Sequence, residues 1–139
     1  MNLKSLLFPL CSILLFSACG EEEPATPAEF RFSNDRTAFE NASNEVFTFD
    51  VRIDEAKTEE VRVRYSTEDI TAVAGEDYIA TSGTVTFAPG ETTQTIEVTI
   101  LIDEYLEGDE QFVVRLSDPE GGYLRDNLQE AIGTIRNDD

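Results

Sequence analysis

EVFTFDVRID, residues 45–54, alternates without a break: Phe47, Phe49, Val51 and Ile53 fall on one side of an extended chain, Thr48, Asp50 and Arg52 on the other. A period of two is the mark of a half-buried β-strand, because successive side chains leave a strand in opposite directions. The pattern recurs along the chain. VRVRY (61–65) turns Val61, Val63 and Tyr65 inward with Arg62 and Arg64 outward, and TVTF (84–87) does the same for Val85 and Phe87. TQTIEVTILI (93–102) contributes Ile96, Val98, Ile100 and Ile102, and FVVRL (112–116) contributes Phe112, Val114 and Leu116. Turn-forming clusters separate these runs: APGE at 88–91, EGDE at 107–110 and DPEGG at 118–122. No stretch carries a helical period. About seven short strands after residue 29 predict an all-β, immunoglobulin-like antiparallel β-sandwich. Phe47, Phe49, Ile96, Val98, Phe112 and Val114 are expected at its core.

Composition narrows what such a domain can do. The 139 residues include 10 Lys and Arg against 29 Asp and Glu, for a formal charge of -19. Nucleic acid and anionic membrane surfaces would repel this chain, so nucleic acid is not an expected partner. Histidine is absent, which removes Ser-His and Cys-His nucleophile pairs and His-ligated zinc. Asp103 and Glu107 could stand as the acid–base pair of a glycoside hydrolase. Such sites need sugar-stacking aromatics, however, and here tryptophan is absent and the aromatics lie mostly on core faces. No enzymatic activity is expected.

The first twenty residues, MNLKSLLFPLCSILLFSACG, start with Lys4 and run apolar from Leu6 to Phe16. That run is too short for a membrane span, which needs roughly 18 or more apolar residues, and suits a secretory signal. Its end, LFSAC, resembles the lipobox of bacterial lipoproteins, which implies cleavage after Ala18 and lipidation of Cys19; Phe16 departs from the usual Leu or Val. An ordinary signal cut at the same bond would instead leave Cys19 as a free thiol. Cys11 falls in the discarded run, so no disulfide is expected in the mature chain. GEEEPATPAE (20–29) is small, acidic and Pro-containing, as a tether would be. The expected organisation is a signal peptide at 1–18, a lipidated cysteine and tether at 19–28, and one domain at 29–139. The expected location is the outer membrane, held there by the lipid. The acid triplet behind Cys19 resembles the surface-export tag of some Gram-negative lipoproteins.

DEYLEGDEQF (103–112) sets five carboxylates directly before a strand. Like charges ~4 Å apart oppose each other by about 1 kcal/mol in water and about 4 at an effective dielectric near 20. A small domain that gathers acids at one tip invites a cation. Calcium, a hard ion, takes six to eight oxygens at ~2.3–2.6 Å from carboxylates, carbonyls and water.

An ordered series of elements carries a family resemblance. TED (67–69) precedes TAVAGEDY (71–78); SGTVTFAPGE (82–91), EGDEQF (107–112) and a closing GTIRNDD (133–139) follow. The series resembles the Calx-beta domain, named for calcium-binding modules of sodium/calcium exchangers, over most of residues 30–139. The resemblance implies a seven-stranded antiparallel sandwich with calcium held by loops at one end. Its ligand positions fall on Glu40, on Asp77 of GEDY, on Asp103, the Tyr105 carbonyl, Glu107 and Glu110, and on Asn137, Asp138 and Asp139. Ile102 stands where calcium-binding members have aspartate, and Asn137 replaces another aspartate. A second, adjacent ion is therefore not expected, and affinity should be weak, ~10⁻⁴–10⁻³ M as in extracellular modules. Ile70 replaces a usual turn glycine.

The expectation is a non-enzymatic, lipid-anchored calcium-binding module acting in adhesion or cell-surface interaction with an envelope or extracellular protein or glycan. Two alternatives stay open: a structural envelope lipoprotein with a vestigial calcium site, and an accessory subunit of a surface enzyme or uptake system.

Overall fold

The computed structural model describes residues 25–33, 35–39, 46–101 and 107–136, with residues 36–39 described by their backbone alone. Among the described residues nine strands lie in chain order: β1 (Ala28–Phe32), β2 (Arg36–Phe39), β3 (Val46–Ile53), β4 (Val61–Asp69), β5 (Ser82–Phe87), β6 (Thr93–Thr99), β7 (Glu110–Glu120), β8 (Gly122–Leu124) and β9 (Glu130–Arg136). There is no helix among the described residues. Four strands form one sheet in the order β6-β3-β1-β8, and five form the other in the order β2-β9-β7-β4-β5. The alternating runs become β3 to β7, and their apolar positions face each other across the two sheets as an immunoglobulin-like sandwich requires.

The strand count exceeds seven because two elements divide. The N-terminal strand crosses between sheets, so that β1 pairs with β3 and β8 while β2 pairs with β9. At the other division Gly121, with φ +77°, turns the chain out of β7 and into β8. Both the β1–β8 and β2–β9 pairs are parallel, so the sandwich is not wholly antiparallel. Parallel neighbours need a long connection rather than a hairpin, and these partners lie some ninety residues apart in sequence. The 118–122 cluster is also not a single turn. The strand continues to Glu120, and β7 holds one extra residue between the pairs Arg62–Glu120 and Arg64–Ser117. Asp118, at φ +44°, lies in that bulge.

Phe112 is the centre of the core. Its ring lies 6.1 Å from Phe47, 6.0 Å from Phe49 and 4.4 Å from Tyr78, bringing both sheets and one loop onto one side chain. Phe47, Phe49, Ile96, Val98, Phe112 and Val114 are all buried, as alternation predicted. Directly across from Phe112 on β9 stands Gly133, where an added Cβ would lie 2.4 Å from the Phe112 ring. Tyr65, expected inward, is half-buried and packed against the core, its ring lying over its cross-strand partner Gly83 on the edge strand β5. Apart from Tyr78, with its hydroxyl, no side chain bearing a charged or polar group is fully buried among the described residues.

Strand direction sets up two poles. Glu110, the ends of β4 and β9, and the start of β3 lie at one pole. The start of β1 lies at the other, where the Ala28 N–H donates to Gly121 O at 3.0 Å.

Candidate metal centre

Three carboxylates converge at the first pole. Asp77 projects from the connection between β4 and β5, Glu107 from the loop before β7, and Glu110 opens β7 itself. One oxygen from each lies within 4.8 Å of the others. Two oxygens that share one calcium at ~2.3–2.6 Å stand at most about 5 Å apart, so the spacing suits joint coordination. Asp77 and Glu110 are half-buried and Glu107 is exposed. The donors are all hard oxygens, which favours calcium over a soft transition metal.

The turn that presents Asp77 is fixed by its own backbone. Gly75 takes φ +91°, a conformation costly for side-chain-bearing residues, and its N–H donates to Tyr78 O at 2.8 Å. The Glu76 and Asp77 N–H groups donate to Val73 O at 3.1 and 2.9 Å. The Asp77 carboxylate in turn accepts the Val73 N–H at 2.6 Å, and its backbone carbonyl accepts the Leu101 N–H at 2.9 Å. Ahead of this turn, Gln111 O accepts the N–H groups of Ile70, Thr71 and Ala72, and Thr71 Oγ1 accepts the Gln111 N–H at 2.7 Å. The whole connection therefore hangs on β7 next to Glu110. Ile70 fits without the turn glycine, since positive φ outside glycine occurs among the described residues only at Asp118 and Asn127.

Of the expected ligands, Asp77, Glu107 and Glu110 are brought together. Glu40, Asp103, Tyr105, Asn137, Asp138 and Asp139 lie outside the described residues, as do Ile102 and Cys19. The described neighbours of those ligand segments all stand at this pole. Leu101 is bonded to Asp77, Ile135 is the cross-strand partner of Glu110, and Phe39 is the partner of Arg136. Two residues at the site carried no role in the sequence reading, Asp69 and Tyr78. Asp69 Oδ1 accepts both the Ala74 N–H, at 3.0 Å, and the Tyr78 hydroxyl. Burial first, and then the Asp69 carboxylate, push the Tyr78 phenol up to about 12, so it is a neutral donor at physiological pH. The available signal was an aromatic standing immediately after an acid inside an otherwise small, polar turn.

Fold and site together define a β-sandwich module whose loop pole is lined with carboxylates at cation spacing. The chain belongs to the Calx-beta family: residues 24–139 match the Calx-beta domain. Among curated relatives, sodium/calcium exchanger 1 of Rattus norvegicus is 45% identical over 85 residues, 56% of this chain and 9% of the exchanger. Sodium/calcium exchanger 3 of Homo sapiens is 53% identical over 55 residues, 40% of this chain and 6% of the exchanger. The chain thus matches less than a tenth of the length of either. Among solved structures, the apo-form Calx CBD1 domain superposes with a TM-score of 0.71 at 30% identity, covering 82% of this chain and all of that domain. The calcium binding domain CBD12 of CALX1.1 gives 0.73 at 30% identity, covering 79% of this chain and 46% of that one.

Proposed function

We propose that this chain is a non-enzymatic calcium-binding module of the cell envelope, anchored through lipid on Cys19 and acting in surface interaction. The observation that carries the calcium reading is the Asp77–Glu107–Glu110 cluster, placed at the loop pole of a Calx-beta sandwich. The cation would be held by these three carboxylates, joined by Asp103, the Tyr105 carbonyl, Glu40 and the Asn137–Asp138–Asp139 end that the family resemblance adds. Bound there, calcium supplies two positive charges against their mutual repulsion and ties the connecting loops together. The resemblance to a solved calcium binding domain supports the same reading.

The anchoring proposal draws on the lipobox-like LFSAC and on the fold's polarity. The chain enters at the pole opposite the acid cluster. Eleven-residue β7 spans that distance, about 35 Å at ~3.4 Å per residue. An anchor before residue 25 would therefore hold the calcium pole outward, where a second protein or glycan could reach it.

Calorimetric titration of the purified protein with calcium chloride tests the calcium reading. A saturable heat is expected, absent or shifted to much higher concentration in Asp77→Asn and Glu107→Gln and unaltered in Asp118→Asn, whose carboxylate lies in the bulge at the far end of β7. No heat from the parent at millimolar calcium would turn the reading to a vestigial site in a structural lipoprotein.

A further inference from the structure

We propose that Asp69 and Tyr78 are positioning residues for the metal centre: through Phe112 they hold Asp77 at cation-binding distance from Glu110 before any cation arrives. This rests on the calcium reading above and adds the means by which the site is organised.

A row of opposed residues crosses the five-stranded sheet. Asp69 at the end of β4 is the direct cross-strand partner of Phe112 on β7, and Phe112 is the direct partner of Gly133 on β9. Side chains at directly opposed positions leave a sheet on the same face, so Asp69 points to the side occupied by the Phe112 ring. Glu110 lies two residues before Phe112 and shares that face of β7. The missing Cβ at Gly133 leaves room for the Phe112 ring on one side. On the other side Tyr78 stacks against it, with centroids 4.4 Å apart and planes 17° from parallel.

Tyr78 is fully buried, and its hydroxyl reaches the Asp69 carboxylate. The same carboxylate oxygen accepts the Ala74 N–H. Ala74 and Tyr78 are the two ends of the turn that carries Asp77, and they also bridge to each other. Asp69 therefore grips both ends of that turn from β4, while the stacked rings tie it to β7 two residues from Glu110. Neither Asp69 nor Tyr78 belongs to the Asp77–Glu107–Glu110 cluster. Their contribution is to restrict the freedom of Asp77 relative to Glu110, so that less ordering is left for the cation to impose. Binding to a site ordered beforehand is tighter because that ordering no longer opposes association.

The test measures calcium affinity by calorimetry and thermal stability in parallel, on parent, Tyr78→Phe, Asp69→Ala and Asp69→Asn, with Val63→Ala as a fully buried core variant near the other end of β4. Tyr78→Phe keeps a ring for Phe112 but loses the bond to Asp69. Its calcium dissociation constant is expected to rise about threefold to tenfold, the range one hydrogen bond can supply. Asp69→Ala is expected to lose more, since two bonds go. Asp69→Asn still offers an acceptor oxygen and is expected to restore affinity to near the parent's. Val63→Ala lowers the melting temperature and leaves affinity unchanged, which separates positioning from general loss of stability. Parent-like affinity in Tyr78→Phe overturns the proposal while the calcium site stands, and so does weakening by Val63→Ala that equals that of Tyr78→Phe. Asp69→Asn falling as low as Asp69→Ala also overturns it, since charge rather than the bond would then be what Asp69 supplies. A parent that takes up no calcium overturns both the site and its positioning residues.

Discussion

At the scale of single residues, Phe112 and Gly133 show how little slack the centre of the sandwich has. Phe112 is fully buried and touches Phe47, Phe49 and Tyr78, so Phe112→Ala removes a ring that two sheets and the Asp77 turn share. A loss of about 3–5 kcal/mol in urea unfolding is expected, a large part of a typical domain's total. Gly133→Ala fails for the opposite reason: the new methyl meets the Phe112 ring at 2.4 Å, and overpacking of this kind costs about 1–3 kcal/mol. The two changes concern one volume, so they should not add. In the Phe112→Ala background Gly133→Ala should cost far less, and a double-mutant cycle that sums to the two single values would contradict this packing.

At the scale of elements, the weakest-looking one is the three-residue β8, and Glu29 of β1 holds it. Its carboxylate accepts from Arg125 Nη1 at 2.8 Å, Arg31 Nη1 at 3.1 Å and the Tyr123 hydroxyl at 3.2 Å. The Arg125 bond, aided by that guanidinium's charge and the other donors and only partly opposed by burial, holds the Glu29 carboxyl below its ordinary value of 4.5. A folded-state pKa lowered in this way contributes stability above about pH 4.5. That contribution is lost as pH falls through the folded value, because the unfolded chain then binds the proton first. Glu29→Gln is thus expected to melt below the parent at pH 7 and to approach it as pH is lowered below 4.5 and through the folded value. A melting-temperature difference that stays constant across that range would mean the carboxylate's charge is irrelevant to holding β8.

At the scale of the whole molecule, two poles carry two different expectations. Calcium that binds the folded acid pole and not the unfolded chain stabilises by about 2.7 kcal/mol at one hundred times its dissociation constant, which raises the melting temperature by several degrees for a domain of this size. Magnesium should do less, because it keeps its water and demands a tighter octahedron. Equal shifts from both ions would point to charge screening instead of a site. At the entry pole, Cys19→Ser is expected to release the protein from the membrane fraction; a variant that stays in the pellet as fully as the parent would remove the lipid-anchor proposal.

Periodicity alone determined strands β3 to β7 and which of their faces is buried. Phe47, Phe49, Ile96, Val98, Phe112 and Val114 could be assigned to the core from the sequence because alternation is a local property, set by the two-residue repeat of an extended backbone. The acids of EGDE and GEDY were legible as candidates because like charges are conspicuous wherever they gather. Which acids meet was decided by tertiary structure. Asp77 reaches Glu110 because Asp69 lies opposite Phe112 and Tyr78 packs between them, and cross-strand register does not appear in any one segment. The same holds for the split of the first strand between two sheets and for its parallel pairings. These depend on partners some ninety residues away, which local pattern does not encode and only the closing of the sandwich selects.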